Sequence, residues 1–361
     1  MTDSATLHQE LPKSLEQIRD PDSGRPLSET GQVTDWQIAG GHVRCQLALT
    51  SATMPLRHWM VDQITQRFHA QAQGIQSVQI DVVQRDRPYP AIGQIGLKAR
   101  HVIAVGSGKG GVGKSTVAAS LALALEKLGA RVGLMDADIY GPSIPHLLGL
   151  SGRPEIIEGK IQPIRLGKMP VLSMGFLVER HQAVIWRGPM LHGSLTQFLR
   201  DTAWGELDYL VIDLPPGTGD VVLTLSQLVP LAGAVVVCTP QEVALLDADK
   251  AIAMFDKTKV PLLGLVENMS GFTCPDTGKT YAIFGKGGTR ARAEQLGVPL
   301  LAEIPIQMPM RELSDEGGLA RALEVPEVGA IMENLAVEVA KSIADQNFKR
   351  PVAAAPLPVL G

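Results

Sequence analysis

Residues 101–129 read HVIAVGSGKGGVGKSTVAASLALALEKLG. An apolar run enters a loop with glycines at 106, 108, 110, 111 and 113, and a stretch with helical character follows. Gly108, Gly113, Lys114 and Ser115 satisfy G-x-x-x-x-G-K-[ST], in the strand-before, helix-after setting that this motif requires. Glycines let the backbone curl so that successive N–H groups face phosphate oxygens. The start of the next helix adds unpaired N–H groups and a partial positive charge. Lys114 is then placed to reach β- and γ-phosphates, and Ser115 to ligate Mg²⁺. The sequence therefore predicts a nucleotide site that takes ATP with Mg²⁺.

Outward from the loop, short and nearly continuous apolar runs alternate with helical stretches: RVGLMDAD, PVLSMGF, DYLVIDLPP, GAVVVCTP, PLLGLVENM and PLLAEIP. Strands without polar alternation are buried on both faces, so the fold class is α/β, a mainly parallel sheet flanked by helices. Acids stand where some of these strands end. Asp213 closes DYLVID and is suited to hold Mg²⁺ through water, and PPGTGD after it is placed to sense a γ-phosphate. Asp136 and Asp138 close LMDAD; Asp138, further out, is the candidate to orient the attacking water, with Asp136 supporting it. Asn268, at the end of LLGLVEN, can hydrogen-bond a purine or simply form a turn. Lys109, inside the loop, fits a variant K-G-G-x-G-K-[ST] in which this lysine reaches the nucleotide of a partner subunit; a solvated loop lysine is the plain alternative.

Residues 1–83 read as a small α+β unit. SLEQIRD suggests a short helix ending at Asp20-Pro21, QVTDWQI and HVRCQLALT alternate as half-buried strands do, and VQIDVV is a third strand. Leu56, Trp59, Met60, Ile64 and Phe68 share one helical face between them. Residues 84–100, with two prolines, two glycines and scattered charge, read as a linker; 101–345 form the nucleotide domain, and 346–361 a loose Pro/Ala-rich tail. A net charge of −4 without a basic run argues against electrostatic binding of nucleic acid or an anionic membrane. Three widely spaced cysteines, Cys45, Cys238 and Cys274, suit a reducing, cytoplasmic setting, and no signal peptide is expected at the N-terminus.

GSGKGGVGKST, DADIYGPS, WRGPM (186–190), WGELDYLVIDLPPGTGD (204–220), TPQEVALLDADKA (239–251), ENMSGFTCP (267–275) and IFGKGG (283–288) together resemble the Mrp/ApbC-type iron–sulfur cluster carrier ATPases, over roughly 101–345 and in the family's order. IRDPDSGRPLSETGQV is similar to the small iron–sulfur assembly-associated domain that often precedes them. The resemblance implies a homodimeric, slow ATPase that holds a cluster, expected to be [4Fe–4S], and passes it to apoprotein clients alongside other assembly factors. It carries over Gly110, Gly111, Val112, Gly113, Lys114, Ser115 and Thr116 as the phosphate loop and Lys109 as the inter-subunit lysine. It also carries over Asp138 and Asp213 for hydrolysis and Mg²⁺, and Asn268 with residues 240–242 for adenine.

The chain departs from that family at its cluster knuckle. Where C-x-x-C is usual, Cys274 is followed three residues later by Thr277, and Met54 stands where the small domain commonly has a cysteine. A hydroxyl is a poor ligand for a soft iron–sulfur centre. Three readings stay open: a cluster held by Cys274 from each subunit with Asp276, a small thiol or a client residue as further ligands; transient binding during hand-off; or a structural hairpin. Cys45 and Cys238 read as buried strand residues, and His181 and His192 as surface or packing groups. The rival function is a MinD/ParA-type nucleotide-switched ATPase, or a partner-binding switch, that no longer holds a cluster. A nitrogenase-reductase-like electron donor needs more cysteines than this chain has.

Overall fold

A computed structural model describes residues 4–72, 74–138, 141–176, 188–217 and 219–349. Two compact units emerge. The smaller takes the described residues up to Pro88 together with those from Ala340 onward, and the larger runs Tyr89–Val339.

In the smaller unit, helix α1 (Ser4–Ser14) and a short α2 (Leu27–Thr30) precede strands β1 (Val33–Ala39) and β2 (His42–Leu49); helix α3 (Arg57–Gln71) then crosses over to β3 (Ser77–Gln84). β1 pairs antiparallel with β2, and β2 parallel with β3. Met60, Ile64 and Phe68, four residues apart along α3, are fully buried, as one helical face requires. The helix expected over 14–20 lies further upstream. Its continuation stops where the Ser14 hydroxyl donates back to the Leu11 carbonyl at 2.6 Å, leaving only a single 3₁₀ turn, Leu15–Gln17, ahead of Pro21. A buried ionic cluster closes the unit. Arg87 donates to Asp20 Oδ2 at 2.8 Å and to Asp22 Oδ2 at 2.5 Å. Asp20 also accepts from the Ser23 hydroxyl and from Gln32. The Asn347 amide donates to the carbonyls of Pro21 and Asp22 at 2.9 and 3.2 Å.

The larger unit begins with β4 (Ala99–Gly106), helix α4 (Lys114–Lys127), β5 (Val132–Asp136) and the single-turn α5 (Ile144–Leu147). A hairpin of β6 (Ile156–Ile157) and β7 (Lys160–Ile161) and a second of β8 (Ile164–Leu166) and β9 (Met169–Ser173) follow. Next come α6 (Gly188–Asp201), β10 (Leu207–Asp213), α7 (Gly219–Leu228), β11 (Gly233–Cys238), α8 (Glu242–Lys257) and β12 (Leu262–Thr273). The unit finishes with β13 (Thr280–Tyr281), α9 (Gly288–Leu296), β14 (Leu300–Ile306), α10 (Met308–Asp315), α11 (Leu319–Ala322) and α12 (Pro326–Lys349), whose residues from Ala340 onward belong to the smaller unit. The main sheet runs β13-β12-β11-β4-β10-β5-β9-β8, with β14 also on β12; only β8 and β13 run antiparallel. The apolar runs make its core: every residue of β5, β10 and β11 is buried. In such a sheet ligands bind beyond the carboxyl ends of the strands. There β4 delivers the glycine loop, and register pairs Asp213 with Asp136 and with Val105.

Two boundaries fall elsewhere than the composition suggests. Within the expected linker, Leu97 and Ala99 are buried and Ile92 bridges Leu97. Tyr89 donates its hydroxyl to Asp208 at 2.9 Å, with the Arg100 guanidinium 4.4 Å above its ring. Helix α12 continues to Lys349, four residues into the expected tail; the remaining residues, 350–361, lie outside those described, as do His181, Trp186 and Arg187. No helix among the described residues is long and apolar enough to cross a membrane.

Candidate nucleotide-binding site

The loop between β4 and α4 takes its curl from Gly111 and Gly113, at φ 80° and 81°, a left-handed conformation that glycine adopts without strain. Gly108 is required for a different reason: a Cβ there would lie 2.0 Å from the Asp247 backbone on α8. The residue that follows the curl, Lys114, opens α4 and is 6% exposed. Its ammonium donates to Asp213 Oδ1 at 2.5 Å and to Ser115 Oγ at 3.1 Å, and lies 3.9 Å from Asp138 Oδ2. One buried cation thus serves two carboxylates, with a third, Asp136, beside Asp213.

The acids divide the work. Asp136 is fully buried and organises the segment after β5: Oδ1 accepts from the Asp138 N–H at 3.0 Å, and Oδ2 from the Ser173 hydroxyl at 2.9 Å and the Ile144 N–H at 3.3 Å. Burial pushes its carboxyl up to about 7, with Asp213 adding to the push and Ser173 opposing it. Asp138 is steadied by the Gly141 N–H at 3.1 Å. Burial likewise raises Asp213 above the ordinary carboxylate value, with Lys114 opposing. Among the described residues, Asp213 Oδ2 is buried and has no hydrogen-bond partner. The loop after β10 is tied to the glycine loop, since Gly217 N–H donates to the Ser107 carbonyl at 3.1 Å; Thr218 lies outside the described residues.

A cavity of about 540 Å³ opens over this loop, lined by Lys109, Gly110, Gly111, Gly113 to Thr116, and Asp138, with Ser143, His146 and Pro216 on its other walls. Sequence reasoning passed over Ser143 and His146, which sit within GPSIPH directly after the strand-end acids; that adjacency was the available signal. Ser173, which holds Asp136, carried no signal at all, because it joins Asp136 only through the β5–β9 pairing.

Asn268 is brought to the outer side of the same loop. Its Nδ2 donates to the Val112 carbonyl at 2.9 Å, and a Cβ on Gly113 would lie 2.2 Å from that nitrogen. The strand then continues to a turn that carries Cys274. There the Cys274 N–H donates to the Lys279 carbonyl at 3.0 Å, and the Gly278 N–H to the Cys274 carbonyl at 2.8 Å. The Thr277 hydroxyl, the Thr277 N–H and the Asp276 N–H hydrogen-bond the Cys274 thiol and hold it below the ordinary cysteine value. Cys238 and Cys45 are buried in β11 and β2, and Met54 lies in a 3₁₀ turn ahead of α3.

Comparison with known proteins matches residues 98–343 to the family described as NUBPL iron-transfer P-loop NTPase, and residues 9–82 to one described as iron–sulfur cluster assembly protein. An iron–sulfur cluster carrier protein of Deinococcus radiodurans is 44% identical over 97% of this chain and 99% of its own length. A mitochondrial iron–sulfur protein of Arabidopsis thaliana required for NADH dehydrogenase is 49% identical over 60% of this chain and 70% of its own. Among solved structures, a nucleotide-binding protein of Archaeoglobus fulgidus in complex with ADP is 45% identical, with a TM-score of 0.55 over 62% of this chain and 88% of that one.

Proposed function

This chain belongs to the NUBPL-type iron-transfer P-loop NTPases, and from that premise we propose that it binds and hydrolyses ATP and carries an iron–sulfur cluster to recipient apoproteins. The observation that carries the ATPase half is Lys114, a buried ammonium held by Asp213 at the floor of an open cavity. An incoming γ-phosphate offers that ammonium a stronger partner and frees the carboxylate. Ser115 and Asp213 fit Mg²⁺, because a hydroxyl and a carboxylate with an unpartnered buried oxygen are the donors a hard cation takes. The ion would supply charge neutralisation at the β- and γ-phosphates. In this reading Gly108 and the segment Gly110 to Thr116 cradle the phosphates, Asp138 orients the attacking water, Lys109 reaches the nucleotide of a second copy, and Asn268 contributes to the purine end.

The cluster is cargo. One chain offers the Cys274 thiolate, so a homodimer offers two, and the remaining positions of a [4Fe–4S] cargo fall to Asp276, a small thiol or a client residue. Clients and assembly factors meet it in a reducing cytosol, where the three free cysteines suit. A relative that is 44% identical along nearly the whole chain supports the carrier reading over the nucleotide switch. Thr277 is the observation that favours the switch, and anaerobic reconstitution with iron and sulfide separates the two. We expect absorbance near ~400 nm from thiolate-bound cluster, lost in Cys274→Ala. A wild type that stays colourless means a switch without cargo, and leaves the ATPase half to be judged on Lys114→Ala.

A further inference from the structure

Three successive residues of β12 do three different things. Glu267, 1% exposed, accepts the Thr289 N–H at 3.3 Å and so holds the start of α9. Asn268 holds the Val112 carbonyl of the phosphate loop. Met269 is left-handed at φ 57°, a conformation that an unbranched side chain adopts at a cost. The pairing with β14 slips between Asn268 and Phe272, and the strand ends at Thr273, next to Cys274. Strain of this kind persists only where its surroundings impose it. Here those surroundings are the phosphate loop on one side and α9 on the other.

We propose that Asn268 is a positioning residue that fixes the Val112–Gly113 peptide for phosphate binding and, through the Met269 kink, makes the Cys274 turn respond to occupancy of the loop. The amide pins Val112 by its carbonyl, between Gly111 and Gly113, which line the cavity. When phosphate draws on those N–H groups, the Val112 peptide shifts or stiffens and Asn268 moves with it. A left-handed residue next in the chain converts that shift into rotation of the strand that follows. The turn at its end is held by main-chain bonds from Cys274 to Lys279 and from Gly278 to Cys274, so it moves as a body. This inference rests on the nucleotide reading of the same loop.

Alkylation of the native full-length chain by iodoacetamide tests it. Cys45 and Cys238 are buried, and burial pushes their thiols up to about 12 and about 11, so the native rate reports Cys274, as Cys274→Ser confirms by abolishing it. In the wild type, saturating Mg·ADP or a non-hydrolysable ATP analogue should change the rate by about threefold or more, because rate follows thiolate fraction and access. In Asn268→Ala at saturating nucleotide, and in Met269→Gly, the change should fall below about 1.5-fold. Met269→Gly keeps the Asn268–Val112 bond and relieves the left-handed strain, so it decides the matter if Asn268→Ala no longer binds nucleotide. A wild type that binds nucleotide without any change at Cys274, or a Met269→Gly protein that keeps the full change, overturns the proposal. So does a change that tracks dimer formation equally in wild type and variant, followed by light scattering. A wild type that binds no nucleotide overturns instead the ATPase reading on which it rests.

Discussion

The two units each bury an ionic cluster, and the clusters differ in their balance of charge. In the smaller unit one guanidinium spans two carboxylates, Asp20 and Asp22, with Ser23 and Gln32 completing Asp20. Burial opposes the charge on Arg87, but the two acids outweigh it and raise the guanidinium further above its ordinary value. In the larger unit one ammonium faces Asp213 and Asp138, Asp136 lies behind them, and Asp213 keeps a buried oxygen without a partner. The first cluster sets one guanidinium between two carboxylates, and its fork geometry suits arginine. The second sets one ammonium among three buried carboxylates, a surplus of negative charge that suits the Mg²⁺ and the exchange of lysine partners proposed for it. Burial alone does not tell a structural ion pair from a functional one; the balance of charge is the sharper guide.

Exchange of the two cations is the sharpest way to break that contrast. Lys114→Ala should remove tight ATP binding and lower hydrolysis by at least ~10²-fold, since the proposed role of this lysine is to contact the transferring phosphates. Calorimetry with ATP checks it, and unchanged affinity would sink the assignment of the loop. Arg87→Met should do the reverse. It strands two buried carboxylates and costs about 3–5 kcal/mol of stability in urea unfolding, while hydrolysis per folded molecule stays at the wild-type level. A stability loss below about 1 kcal/mol would mean the smaller cluster is not the buried brace described here.

Asp213→Asn probes that surplus directly. It leaves an amide where the proposed Mg²⁺ needs charge, so the Mg²⁺ concentration for half-maximal hydrolysis should rise by about tenfold or more. The smallest effect concerns pH. Between the ordinary carboxylate value and about 7, folded Asp136 keeps a proton that the unfolded chain has released. Its contribution to stability is therefore complete at low pH and is lost as pH rises through about 7. The nucleotide-free protein should melt lower at pH 8 than at pH 6, by roughly 2–4 °C for each kcal/mol involved. Asp136→Asn should flatten that slope; equal slopes in both proteins would assign the proton elsewhere.

The contrast also explains what the sequence disclosed. The larger cluster was legible because its members stand at the ends of apolar strands beside a glycine loop, and strand ends in a parallel sheet converge. The smaller was not. Arg87 looked like scattered linker charge, because its partners Asp20 and Asp22 lie 67 and 65 residues away and no periodicity links them. Tyr89 and Leu97 were hidden among prolines and glycines in the same way. The turn at Cys274 was visible as a turn, but the hydrogen bonds from Thr277 to the thiol depend on local geometry that spacing does not encode. Asn268 read as a purine contact or a turn residue, and its bond to Val112 was invisible because 156 residues separate the two.

The smaller unit draws on both ends of the chain, with Asn347 holding the carbonyls of Pro21 and Asp22. Translation makes those two ends far apart in time. At ~5–20 residues per second, the first segment waits roughly 10–50 seconds for its closing helix, while the nucleotide unit is completed in between. An ordinary early-folding N-terminal domain is finished first. This one is sealed last, and a chain cut short before residue 340 carries an ATPase unit whose companion unit is still open.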